Sequence, residues 1–189
     1  MSEAGRQVAL LRGINVGGKN KLPMKELAAM FTEAGCQDVR TYLQSGNVVF
    51  QATNTLASRA PSLVTGAISK RFGFDVPILT RTASEISEVV SSHPFLQREP
   101  ALERPSATQP LHVVFLARRP TANRIAALEP ERSPPDRFLV RGREIFLCCP
   151  KGLARTRLTN AYFDSKLATT TTVRSWKTVL QLLEWTTGA

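Results

Sequence analysis

Histidine and cysteine are scarce in this chain of 189 residues, which contains two histidines and three cysteines. The histidines, His93 and His112, are distant in sequence from Cys36, and Cys148 and Cys149 are adjacent, so the C-x2-C spacing of a zinc site is missing. An odd number of cysteines, two of them adjacent, is a poor disulfide framework and is typical of a reducing compartment. We therefore expect neither a metal nor another cofactor, and we expect a cytoplasmic location.

Long apolar runs are also missing from the sequence. No run approaches the ~18–20 residues that a membrane-spanning helix needs, so we expect no membrane partner. The first ten residues, MSEAGRQVAL, lack the apolar segment of a secretory signal. These two absences favour a soluble globular protein.

Positive charge, by contrast, is in excess, and it is concentrated in the second half of the chain. The formal net charge is +10, and residues 118–177 hold 13 Lys and Arg against 5 Asp and Glu. Such an imbalance favours binding of polyanions at low salt through counterion release, so nucleic acid is a candidate partner. The alternative is that an arginine-rich composition simply forms a solvated face.

A glycine-rich segment, LLRGINVGGKNK (10–21), follows the first predicted strand. Gly13, then four residues, then Gly18 and Lys19 come within one residue of the phosphate loop of nucleotide triphosphatases. Asn20 stands where that loop needs a serine or threonine, and the next helix is predicted to start only at Pro23. We therefore expect no nucleotide triphosphatase.

Two roles are left open for this segment. Its glycines allow a tight turn whose backbone N–H groups form a small anion-binding nest. In the alternative, Arg12 and Asn15 only bond to neighbouring carbonyl groups.

Hydrophobic periodicity predicts an α+β fold built from two similar halves. Residues 1–92 are typical of a β-α-β-β-α-β subdomain, a linker with four prolines spans 93–110, and a second subdomain with a final helix spans 111–189. The predicted hairpins YLQSGNVVF (42–50) and FLVRGREIF (138–146) share the order aromatic, Leu, Gly, Phe. We interpret the halves as two ferredoxin-like, split β-α-β subdomains from an internal duplication, with coincidence of the hairpins as the alternative.

Few residues are candidates for catalysis. Cys149 lies close in sequence to Lys151, Arg155 and Arg157, which makes it a candidate nucleophile of low weight. Trp176, between Arg174 and Lys177, can stack on a ring or base, but a tryptophan at a helix start more often anchors a core. Whether the protein is an enzyme is left undecided.

Residues 10–50 resemble the signature of a bacterial family called domain of unknown function 1697. The segments LTNAYFDSKL (158–167) and TTTTVRSWKTVLQLLE (169–184) are similar to it as well. The resemblance implies an α+β fold with two similar subdomains and implies no activity. The family commonly shows Arg-Asn-Trp-Asn-Thr where this chain has Ser175 after Arg174 and Lys177 after Trp176.

The predicted topology places the loop after the first strand close to the hairpin turn at 44–47. We expect these turns to meet, with residues 174–178 as a candidate third wall, and to bind a phosphate-bearing or other anionic ligand. The predicted ligand-binding residues are Arg12, Gly13, Asn15, Gly17, Gly18, Lys19, Gln44, Ser45, Gly46, Asn47, Arg174 and Trp176. The expected partners are a phosphate-bearing small molecule or a nucleic acid. The alternatives are a small metal-independent enzyme that uses the same cleft and a protein-interaction module.

Overall fold

The computed structural model describes residues 4–99 and 110–188, which divide into two compact units. The first unit comprises the chain up to Ile86 together with the segment from Leu182 onward, and the second comprises Ser87–Gln181. Most of the proline-rich linker predicted at 93–110 lies outside the described residues. The subdomain bounds drawn from the sequence stay a prediction.

Within the residues described, the first unit contains four strands, two complete helices, the start of a third and, from Leu182 onward, the second half of the last helix of the chain. Its elements are β1 (Ala4–Leu11), α1 (Met24–Glu33), β2 (Gln37–Tyr42), β3 (Asn47–Thr53), α2 (Asn54–Phe72), β4 (Ile78–Thr82) and the start of α3 (Ala83–Ser91). The strands form an antiparallel sheet of order β2-β3-β1-β4. Both hairpin strands and the helices on either side fall where the periodicity of the sequence predicts them.

The second unit has its own four-stranded antiparallel sheet, of order β6-β7-β5-β8. Its elements are β5 (Leu111–Leu116), α4 (Ala122–Ala126), β6 (Arg137–Arg141), β7 (Glu144–Cys148), α5 (Asn160–Leu167), β8 (Thr171–Ser175) and the first half of α6 (Trp176–Thr187). The chain is thus a mixed α+β protein with two antiparallel sheets. None of the helices in the described residues combines the length and apolarity needed to cross a bilayer.

Each unit buries one face of its sheet under helices. In the first, Phe31 of α1 and Phe50 of β3 are fully buried, with ring centroids 5.1 Å apart. In the second, Phe163 of α5 is fully buried and packs edge-on against Phe138, with ring centroids 5.8 Å apart. In the central strands both faces are buried, since residues 8–11 of β1 and every residue of β5 are buried although successive residues point to opposite faces.

Both fourth strands lead directly into a helix, and a side chain caps each junction. At the start of α3, the Thr82 N–H donates to Glu85 Oε2 at 2.9 Å and the Glu85 N–H donates to Thr82 Oγ1 at 3.1 Å. This reciprocal pair is a capping box. At the start of α6, the Thr178 N–H donates to Ser175 Oγ at 3.3 Å. The local sequence therefore sets where these helices begin.

Candidate functional site

The glycine-rich segment forms a small hairpin of its own in the first unit. Val16 and Lys19 form a β-bridge, and the Asn15 N–H donates to the Asn20 carbonyl at 3.1 Å. The central residues Gly17 and Gly18 have φ values of +58° and +75°, as a two-residue type I′ turn requires. Helix α1 begins at Met24, so Lys19 lies in a hairpin rather than in the first turn of a helix. The geometry is not that of a nucleotide triphosphatase phosphate loop.

The Asn15 side chain ties this hairpin to the turn between β2 and β3. Its Nδ2 donates to the carbonyl oxygens of Leu22 and Gln44, both at 2.9 Å, and its Oδ1 accepts from the Leu22 N–H at 2.8 Å. Asn20 closes the base of the hairpin by donating from Nδ2 to the Gly13 carbonyl at 3.0 Å. The expected meeting of the two turns is thus confirmed.

Gly46, in the second turn, packs directly against the end of β1 and the residues that follow it. Its carbonyl accepts from the Leu11 N–H at 2.8 Å. A Cβ atom at Gly46 would lie 2.7 Å from both Leu11 Cβ and Ile14 Cδ1, and the φ of Gly46 is +76°. Only glycine meets both requirements, so this position is set by packing and by backbone conformation together.

Asn47 stabilises the hairpin turn from inside. It is fully buried, and its Nδ2 donates to the Tyr42 carbonyl at 2.8 Å and to Ser45 Oγ at 3.1 Å. Leu43, by contrast, has a φ of +58° and is 54% exposed. Positive φ is unfavourable for a bulky residue, so the braced turn holds Leu43 in a conformation that it would not adopt alone.

What the two turns present outward differs from what holds them together. The exposed residues include Lys19, Lys21 and Gln44, together with Gly17 and Gly18 at the tip of the hairpin. Within the described residues, the amino groups of Lys19 and Lys21 have no hydrogen-bond or ion-pair partner. Arg12 is half-buried, and its backbone N–H donates to the Pro77 carbonyl at 3.0 Å. Cationic and amide groups thus surround a rigid, glycine-rich tip, while Asn15 and Asn47 serve its architecture.

Arg174 and Trp176 belong to the second unit. Arg174, on β8, is 7% exposed and donates from Nη1 to Thr172 Oγ1 and to the Val173 carbonyl, both at 2.8 Å. Burial lowers its pKa to about 10. Trp176, the first residue of α6, is 3% exposed and packs edge-on against His93 with ring centroids 4.5 Å apart. Its position is that of a core anchor.

Other candidates for chemistry are buried. Cys149 is fully buried, and its pKa is raised to about 12, chiefly by burial, so its thiol lacks the electropositive, open environment of a nucleophile. Burial also lowers the pKa of His93 to about 4. In the part of the chain that the structure describes, no three His, Cys, Asp or Glu side chains are grouped to hold a metal ion.

Three residues of the site were missed from the sequence: Ile14, Asn20 and Leu43. Asn20 has a φ of +49°, and asparagine is one of the few residues that tolerates this region. The Gly17-Gly18 pair, with one residue on each side separating it from Asn15 and Asn20, is a recognisable hairpin signal. Ile14 and Leu43 carry no local signal, since their roles depend on contact with, or strain within, the second turn.

Comparison with known proteins supports the fold and gives no activity. The model of a family described as protein of unknown function (DUF1697) matches residues 5–146. A solved structure, that of the conserved bacterial protein SP0830 from Streptococcus pneumoniae, is similar with a TM-score of 0.74 and 18% sequence identity, over 98% of this chain and 99% of that one. At this identity the likeness shows the fold alone. No curated protein matches the chain.

Proposed function

The chain belongs to the DUF1697 family of proteins of unknown function, and we propose that it is a binding module for a phosphate-bearing or other anionic ligand. The ligand-binding surface is formed by the hairpin 12–22 and the turn 43–47 of the first unit. The observation that carries the proposal is the bracing of an exposed, cationic, glycine-rich tip by the Asn15 side chain. Braced groups lose little entropy when they bind a ligand.

The chemistry of the exposed groups favours anions. Lys19 and Lys21 supply two ammonium groups, and the Gly17 and Gly18 backbone approaches a ligand without side-chain obstruction. Gln44 adds an exposed amide at the second turn. A phosphate group, which accepts several hydrogen bonds at once, matches this set of donors.

Catalysis at the same surface is the weaker alternative. Neither 12–22 nor 43–47 contains a carboxylate or a histidine, so these turns lack a general base. The half-buried Arg12 can hold charge but cannot accept a proton at neutral pH. The residues therefore favour binding over reaction.

A matched pair of variants tests the proposal. Lys19→Gln with Lys21→Gln should weaken binding of pyrophosphate at least tenfold, measured by isothermal titration at low salt. Lys25→Gln with Lys70→Gln removes the same charge from the exposed faces of α1 and α2 and should leave affinity unchanged. On titration of the wild type, the amide resonances of Gly17 and Gly18 should shift. Equal loss in both double variants, or no shift at the glycine amides, would refute the assignment.

A protein-interaction role is the second candidate, because the same two turns expose apolar side chains. Val16 is 65% exposed and Leu43 is 54% exposed, and both lie beside cations or amides. Replacement of both by serine should abolish self-association in analytical ultracentrifugation if these tips form an interface. A wild-type protein that is monomeric at all concentrations would exclude self-association through these tips.

We also propose that the two units are ferredoxin-like and arose by duplication. The sheet orders β2-β3-β1-β4 and β6-β7-β5-β8 correspond strand by strand. Arg81 of β4 pairs with Val8 of β1, and Arg174 of β8 pairs with Val113 of β5, so the two buried arginines occupy equivalent positions. An experimental structure whose two sheets failed to superpose strand for strand would contradict this interpretation.

A further inference from the structure

Part of the charge excess of the second unit lies around helix α5, on segments that precede it and contact it. We call these cations the basic strip and define it by seven residues: Arg118, Arg119, Arg124, Arg132, Arg155, Arg157 and Lys166. All seven precede or lie within α5 in the sequence. The contacts described below place Arg118, Arg124, Arg132 and Lys166 at α5 and Arg157 beside Arg132, and Arg119 and Arg155 are near neighbours of these residues in the sequence. The strip lies wholly in the second unit and shares no residue with the turns 12–22 and 43–47.

At the amino-terminal end of α5, two arginines lie side by side. Arg132 donates from Nε to the Arg157 carbonyl at 3.2 Å, and its guanidinium lies 4.0 Å from the centroid of the Tyr162 ring. This stacking fixes the plane of the guanidinium. Arg155 and Arg157 are exposed, and within the described residues neither guanidinium has a hydrogen-bond or ion-pair partner.

Two further arginines contact the carboxy-terminal end of α5, which itself carries Lys166. Arg124 Nη1 donates to the Lys166 carbonyl at 3.2 Å, and Arg118 Nη2 donates to the Ala168 carbonyl at 3.4 Å. These contacts satisfy carbonyl groups that the end of a helix leaves unpaired. Each guanidinium carries five N–H donors, so a single such contact positions the arginine and leaves most of its donors for a ligand.

Carboxylates cancel only part of this charge. Glu129 lies between the two ends, where it pairs with Lys166 at 2.7 Å and with Arg132 at 3.1 Å. Asp164 is engaged by the Thr171 N–H at 2.8 Å and its hydroxyl at 2.7 Å. Together with the exposed Glu131, these residues supply three carboxylates, compared with the seven cations of the basic strip.

We propose that the basic strip binds the phosphate backbone of nucleic acid. An α-helix of eight residues spans about 12 Å, so the strip presents charge over a length that covers several phosphates of a nucleic-acid chain. The aromatic residues of α5 are buried, with Tyr162 at 7% and Phe163 at 0% exposure, so bases have no exposed ring on this helix to stack on. Binding is therefore electrostatic and independent of sequence.

The surface chemistry favours nucleic acid over a membrane. Within the described residues the exposed large hydrophobic side chains are Val16, Leu43 and Leu63, all in the first unit. A helix that lies in a bilayer interface inserts an apolar face beside its cations, and the strip has none. Its arginine forks instead suit repeated phosphate oxygens.

Charge-matched triple variants test the proposal. One triple variant removes three cations of the basic strip: Arg119→Gln, Arg155→Gln and Arg157→Gln. Within the described residues, these three exposed side chains have no hydrogen-bond or ion-pair partner. Lys25→Gln, Arg59→Gln and Lys70→Gln remove the same charge from exposed positions of α1 and α2. Binding to labelled single-stranded RNA and duplex DNA of about 20 units is measured by fluorescence anisotropy across a salt series.

The wild type should bind both nucleic acids, with an affinity that falls steeply with salt. The strip variant should reduce the slope of log K against log salt by about 2–3 and weaken binding at least about tenfold at 0.1 M salt, whereas the control changes the slope by less than about 1. The proposal is overturned if both triples weaken binding equally, or if phosphatidylserine vesicles bind through the strip while nucleic acid does not.

Discussion

Replacing Gly46 by alanine tests whether the two turns are joined by packing. The φ of +76° alone costs an L-residue about 1–2 kcal/mol. The added Cβ would also lie 2.7 Å from Leu11 Cβ and from Ile14 Cδ1. Ile14 Cδ1 can swing away, but Leu11 Cβ is attached to the backbone of a central strand, so relief requires movement of β1 or of the turn. Overpacking of this kind adds about 1–3 kcal/mol.

Gly13 provides the matched control for this experiment. Its φ is +72°, close to that of Gly46, but a Cβ there meets no atom within 4 Å. Gly13→Ala should therefore lower the free energy of unfolding by only about 1–2 kcal/mol, the backbone term alone. The difference between the two variants isolates the contact between the turns.

Urea denaturation followed by far-ultraviolet circular dichroism and tryptophan fluorescence measures both variants. Gly46→Ala should shift the midpoint well below that of Gly13→Ala without a change in slope, because the surface exposed on unfolding is the same. If the two variants are equally stable, the close approach of Gly46 to Leu11 and Ile14 contributes nothing, and the account of the braced turns is wrong.

Three further predictions concern single side chains. Asn15→Ala removes three hydrogen bonds and should lower the free energy of unfolding by about 2 kcal/mol. Hydrogen exchange at the Leu22 amide should become faster, and unchanged protection of that amide would contradict the bracing role of Asn15. Burial lowers the pKa of His93 to about 4 from its ordinary 6.5, so the unfolded state takes up a proton first as pH falls. The free energy of unfolding should therefore be highest above about pH 6.5 and should decline toward pH 4 by up to about 3 kcal/mol. His93→Gln should flatten this decline when denaturation is measured as a function of pH. Because all three cysteines are buried and the pKa of Cys149 is raised to about 12, iodoacetamide at pH 8 should label none in the native protein and three in guanidinium, by mass spectrometry; rapid native labelling of Cys149 would restore it as a nucleophile.

Much of the fold follows from local pattern. Alternating apolar residues in 39–52 define a hairpin, and the order β-α-β-β-α-β follows from the periodicity around it. The meeting of the loop after β1 with the hairpin turn could be predicted, since β1 pairs with β3 and the two bends leave the same end of the sheet. Local pattern does not define strand β8, because its sequence Thr-Thr-Val-Arg-Ser contains a single aliphatic residue.

The roles of the site residues could not be predicted from the same pattern. The sequence suggests Asn15 and Asn47 as ligand contacts, because both carry polar amides within glycine-containing turns. In the structure their side-chain donors are bonded to main-chain carbonyls of the two turns. Whether the Asn15 amide donates to a ligand or to a main-chain carbonyl depends on how close the turn around Gln44 lies, 29 residues further along the chain. Local sequence does not contain that distance.

In the two turns, some polar side chains stabilise the fold and others are exposed to solvent, and this difference indicates what kind of function the turns support. A catalytic site needs polar groups that face the substrate, yet the Asn15 and Asn47 amides donate to the chain itself. Among the described residues, the exposed side chains of the two turns without a hydrogen-bond partner include the Lys19 and Lys21 ammonium groups and the Gln44 amide. Ammonium groups hold charge and exchange no proton at neutral pH unless they are buried. A rigid frame with exposed cations is suited to holding an anion in place. Asn15 and Gly46 hold the two turns together, whereas Lys19 and Lys21 contact the ligand. Replacing Asn15 or Gly46 should therefore lower both stability and affinity, and replacing Lys19 or Lys21 should lower affinity alone.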